Sequence, residues 1–157
     1  MFPESINQHP ADWLTLAGTV FAEFGEETQD SGNVSYGVMI GGERFFVKTA
    51  GDPGNARPYL NHAARVEYLR NAVRLYTSCP HRLLAKLLTV VESPLGPMLV
   101  YEWIDGELLY TPGAKRESSD SSLQRFRALS SSTIIRHLTD IYQLHVELEQ
   151  VGWAPVD

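Results

Sequence analysis

The tightest constraint in this sequence is the pair Gly41-Gly42, set between the apolar runs Val34–Ile40 and Phe45–Lys48. Two consecutive glycines both tolerate positive φ, which a two-residue hairpin turn demands, so these runs are expected to pair as antiparallel strands. The weakly alternating stretch Val20–Phe24 precedes them across the polar cluster Thr28–Asn33, giving a meander of three strands. Gly51-Asp-Pro-Gly-Asn then breaks the chain. Within 60–76, Val66, Leu69, Val73 and Tyr76 recur at steps of three and four, the period of one helical face. Two further short strands, Leu87–Val91 and Met98–Tyr101, flank the turn sequence Glu92-Ser-Pro-Leu-Gly-Pro. Residues 111–122 carry Pro112, Gly113 and four serines and read as a loop or linker. A long helix is expected over Thr133–Gln150, with Ile134, Ile135, Leu138, Ile141, Tyr142, His145 and Leu148 on its apolar side and Gly152 as its stop. The hydroxyls of Ser130–Thr133 suit its N-cap. Residues 1–12 read as a polar lead-in. The class is α+β: a small antiparallel sheet with one packed helix, then helical structure.

Composition narrows the function classes. Thirteen Lys+Arg against nineteen Asp+Glu give a net charge of −6, which argues against nucleic-acid binding and against a polybasic membrane anchor. The single Cys79 cannot form an internal disulfide or a Cys-rich zinc site. The first residues have neither a basic region nor an apolar core, and no apolar run approaches ~18 residues, so a cytoplasmic location is expected, away from the membrane.

Three places carry candidate chemistry. Lys48 closes a strand, where its ammonium can serve as a point charge for a phosphate or simply cap the strand into solvent. Glu67, nineteen residues later on the helix, can pair with Lys48 and orient it, or lie on a solvated flank. The turn Asp30-Ser31-Gly32-Asn33 is small enough for backbone N–H groups to approach an anion, as well as being an ordinary turn. His145-Val-Glu147 imitates the H-x-E of zinc deaminases, but no P-C-x-x-C follows it. His137 and His145 lie eight residues apart with no histidine at i+4, so no metal site is expected there, and His145 reads as a packed core residue.

In this order, the glycine turn, Lys48 and Glu67 resemble the kinase-like fold, and within it the bacterial branch of aminoglycoside phosphotransferases and related small serine/threonine kinase-like enzymes. Ser31-Gly-Asn-Val-Ser-Tyr-Gly is similar to the phosphate-covering loop, and Phe45-Phe-Val-Lys48-Thr to the third strand. Leu99-Val-Tyr-Glu-Trp-Ile-Asp-Gly-Glu-Leu-Leu109 is similar to the hinge, and Ile141-Tyr-Gln-Leu-His-Val-Glu-Leu to the helix before the catalytic loop. The resemblance implies a five-stranded N-lobe with its hinge over residues 1–106, and the first, apparently truncated part of a helical C-lobe over 107–157. It implies ATP as cofactor, held by Ser31, Gly32, Asn33, Lys48 and Glu67, with Glu102 and Trp103 beside the adenine. Asp157 falls at the catalytic-loop position, where it would orient the acceptor hydroxyl and take its proton. The Mg²⁺ ligands of the family follow that aspartate, so none is expected within these 157 residues.

Two departures stand out: the glycine loop keeps Gly32 and Gly37 but has Val34 between them, and the chain ends at Asp157. The expected activity is transfer of the γ-phosphoryl of ATP to a hydroxyl of a small molecule or a protein Ser/Thr. The alternatives are a non-catalytic, pseudokinase-type module that binds nucleotide or a partner, and an unrelated α+β binding domain. Trp103 would cover a ligand or fill the lobe junction, and the final helix, left with an open apolar face, offers a dimer contact.

Overall fold

The computed structural model describes residues 2–25, 31–55, 57–107, 109, 118 and 120–154. It is α+β, with a five-stranded antiparallel sheet in the order β1-β2-β3-β5-β4. The strands are β1 (Thr19–Phe24), β2 (Val34–Ile40), β3 (Glu43–Thr49), β4 (Leu87–Ser93) and β5 (Gly96–Glu102). Gly41 and Gly42 take φ of +61° and +86°, the positive values the β2–β3 turn requires. The helices are α1 (Pro10–Ala17), α2 (His62–Ser78), α3 (Ser122–Arg127) and α4 (Ser131–Gln150). Ser122, expected within the serine-rich loop, instead starts α3, whose cap Ser121 Oγ accepts from the Gln124 N–H at 3.3 Å.

Residues 1–12 are more than a lead-in. The Glu92 N–H donates to the Glu4 carbonyl at 2.9 Å and the Ile6 N–H to the Glu92 carbonyl at 2.8 Å, a parallel bridge along the edge of β4. Pro10 then opens α1, because proline lacks the N–H that a first helical turn leaves unbonded. The His9 imidazole caps that end by accepting from the Ala11 N–H at 3.2 Å.

The two sheet faces follow from strand alternation. On one, Tyr36, Val38, Val47, Met98 and Val100 pack with Ile6 and Leu14 of the N-terminal segment. On the other, Leu99 and Ala50 meet Leu69 of α2, with Val66, Ala72 and Val73 around them. Burying Leu69 fixes the rotation of α2 about its axis and hence which of its side chains reach the sheet.

The chain divides into two compact units, one of 1–77 with 84–104, the other of 78–83 with 105–157. In the second, Ser130 Oγ caps α4 by accepting from the Thr133 N–H at 3.2 Å. Arg82 and Asp140 form an ion pair at 2.6 Å, and the Trp153 indole N–H donates to Ser78 Oγ at 2.9 Å. The buried side of α4 is only partly the one expected: Leu148 is buried as expected, but its buried companion is Leu144, while Ile135, Leu138, Ile141 and Tyr142 are exposed. His145 is exposed too, and not a packed core histidine. It follows Leu144 by one residue, a step of about 100° that turns it off the buried line. No helix among the described residues is long and apolar enough to cross a membrane.

Candidate functional site

Two cross-strand rows on the α2 side of the sheet build the site. Lys48 pairs with Ser35 on β2 and Leu99 on β5, and Phe46 pairs with Gly37 and Tyr101. Partners in register project to the same face, so Lys48 stands one row from Phe46 and Tyr101 on the surface α2 partly covers. Between this surface and α2 lies a cavity of about 260 Å³, lined by Phe46, Lys48, Ala72, Leu75, Tyr76, Leu84, Ala85 and Tyr101. Among the described residues Lys48 is its only ionisable cation. Burial pulls its ammonium below the ordinary lysine value, and no carboxylate among the described residues pairs with it to oppose that shift.

The structure does not bring Glu67 to Lys48. Its carboxylate is more than half exposed and pairs with Arg74 at 2.9 Å. The reason is helical phase. Glu67 lies two residues from both Arg65 and Leu69, which are buried, so it stands roughly 200° round the helix from each. At that phase a side chain points to solvent.

Beyond Phe46 the same face carries a run of aromatic rings. Phe46 lies 6.4 Å from Tyr101 and 5.9 Å from Phe24, and Phe21 meets Trp103 edge-on at 4.8 Å. Phe21 and Trp103 lie over Gly37, where a Cβ would come within 2.6 Å of the Phe21 ring and 2.9 Å of the indole. Trp103 therefore packs on the sheet, with the Arg44 guanidinium 5.9 Å from its ring centre. Glu102 has an exposed side chain, and its backbone N–H donates to the Lys86 carbonyl at 3.0 Å.

Ser31, Gly32 and Asn33 form a turn braced from within the protein. The Asn33 backbone and side-chain N–H groups reach Ser31 Oγ at 3.4 and 3.2 Å. Gly32 is buried at φ +79°, and its carbonyl accepts from Nη1 of Arg65. Arg65 is fully buried, and its Nη2 donates to the Asp52 carbonyl at 2.9 Å. One guanidinium thus ties the turn before β2 to the loop before α2. Sequence reasoning missed Arg65, although it precedes Leu69 by four residues and so shares the apolar face of α2. Asp157 lies outside the described residues. Among those described, no group of three or more His, Cys, Asp or Glu is placed to hold a metal.

No protein-family model matches the chain, and no curated protein matches it either.

Proposed function

We propose that this chain contains the nucleotide-binding part of a kinase-like phosphotransferase, in which ATP donates its γ-phosphoryl group to a hydroxyl of a small molecule or a protein Ser/Thr. The observation that carries the reading is Lys48, a desolvated ammonium on β3 with no carboxylate partner among the described residues. A half-buried cation without a counter-charge carries a desolvation cost, and a bound anion such as a nucleotide phosphate offsets it. The strand order and the helix between β3 and β4 are compatible with an N-lobe-like fold. In this reading Lys48 holds the phosphates, the Ser31–Asn33 turn covers them, and the base lies against the aromatic surface near Glu102 and Trp103. Asp157 would orient the acceptor hydroxyl and receive its proton.

A second reading, a nucleotide- or partner-binding module without chemistry, is favoured by Glu67, which pairs with Arg74 and leaves Lys48 without an orienting carboxylate. Calorimetric titration of ATP into the protein and its Lys48→Met variant tests the first claim. Binding that falls at least tenfold in a folded variant supports it, and equal binding refutes it. Transfer of labelled γ-phosphate, to an acceptor or to water, then separates the two readings.

A further inference from the structure

The cavity beside Lys48 has a chemistry of its own. Seven of its eight lining residues present apolar or aromatic surface, and three of them, Phe46, Tyr76 and Tyr101, carry rings. Its volume of about 260 Å³ exceeds the ~150 Å³ of a cavity that takes up benzene, and so leaves room for a bicyclic ring with one small polar group. Its walls come from three places: β3 and β5, the C-terminal half of α2, and the Leu84–Ala85 segment that enters β4.

We infer that this cavity is a binding site for a small aromatic carboxylate, with its ring among Phe46, Leu75, Leu84 and Tyr101 and its carboxylate on the Lys48 ammonium. The charge count favours a single negative charge. Among the described residues Lys48 is the only cation in the lining, and its single ammonium balances the one charge of a carboxylate. Among the described residues no acid competes for the lysine, since Glu67 is turned away and held by Arg74. The neutral counterpart of such a ligand would fill the same space while leaving Lys48 desolvated and unpaired, so the site discriminates by charge. Burial of Lys48 adds a pH signature: affinity for the acid falls as pH rises through the lowered lysine value.

The inference stands apart from the nucleotide reading, although both use Lys48. The test is calorimetric titration of 2-naphthoate and 2-naphthamide into the purified protein, its Lys48→Met variant and its Ala85→Trp variant. Ala85 is an exposed wall residue, so an indole there narrows the cavity without entering the core. The expected result is at least a tenfold preference for the acid over the amide in the parent protein. Lys48→Met loses that preference, and Ala85→Trp weakens the acid several-fold. Equal affinity for acid and amide, no detectable binding of either, or acid binding untouched by Ala85→Trp overturns the inference. ATP titrated into the same samples keeps the two claims separate. ATP binding without naphthoate binding refutes only the carboxylate site, and naphthoate binding without ATP binding refutes only the nucleotide reading.

Discussion

Replacing Arg65 by methionine asks how much one buried guanidinium contributes to holding two loops. The side chain is fully buried and donates to the carbonyls of Gly32 and Asp52, while its Nε has no partner among the described residues. Each hydrogen bond from a charged donor is worth about 1.5–3 kcal/mol. Removing both leaves the buried Gly32 carbonyl unsatisfied, but it also removes a desolvated cation that no carboxylate among the described residues compensates, and that relief offsets part of the loss. The net destabilisation is expected at about 2–4 kcal/mol, with methionine filling most of the volume. In urea, followed by far-ultraviolet circular dichroism, the midpoint should fall by about 1–2 M at ordinary slopes. Amide hydrogen exchange should accelerate first in 31–33 and 51–55, the segments the guanidinium joins. Arg65→Lys should recover less than half of the loss, because a single ammonium cannot fork to two carbonyls. A midpoint shift below about 0.3 M in Arg65→Met would mean that the loops hold themselves and the guanidinium is incidental.

Lys48→Met should melt at or above the parent temperature at pH 7. The folded ammonium titrates below its ordinary 10.5 because of burial, so the charged form is a cost to the fold at neutral pH. That advantage should shrink as pH approaches 10.5, and a variant that melts lower at pH 7 contradicts the assignment. Tyr36 is pushed up to about 12 by burial, then by Glu23 and Asp12. Its contribution is therefore complete below pH 10 and lost as pH rises from 10 to 12, about 1–3 kcal/mol in all. Tyr36→Phe should flatten that part of the stability profile, leaving the contribution of Tyr101, which burial also raises; an unchanged slope would exclude Tyr36 as its source. Gly37→Ala places a methyl against Phe21 and Trp103 and should cost about 1–3 kcal/mol, with a shift in tryptophan emission. An unchanged melting temperature would show that the rings are free to move aside.

Turn chemistry made much of the sheet legible. Gly41-Gly42 and the turn after Glu92 mark both hairpins, and the period of Leu69 and Val73 marks α2, because these signals are local. What the chain does at long range was hidden. The polar character of residues 1–12 suggested only a lead-in, yet Ile6 and, just beyond it, Leu14 complete one face of the core. For α4, the apolar residues outnumber the positions one face can bury, so periodicity alone could not choose between Leu144–Leu148 and Ile135–Leu138. The site shows the same division. Lys48 was visible as the end of an apolar strand, and the phase of Glu67 relative to Leu69 already places that carboxylate on the outer side of α2. Arg65 was readable only by accepting that a charge can sit among apolar helix positions when backbone carbonyls receive it.

The parallel bridge of Ser5 to Glu92 has a practical corollary for anyone handling this protein. An unpaired sheet edge is a template for strand addition by another molecule, and here the protein's own first residues occupy part of the β4 edge. A chain shortened to begin at β1 would uncover that edge together with the apolar surface that Phe2, Ile6 and Leu14 cover. Such a version should be prone to self-association and to intermittent pairing with extended peptides.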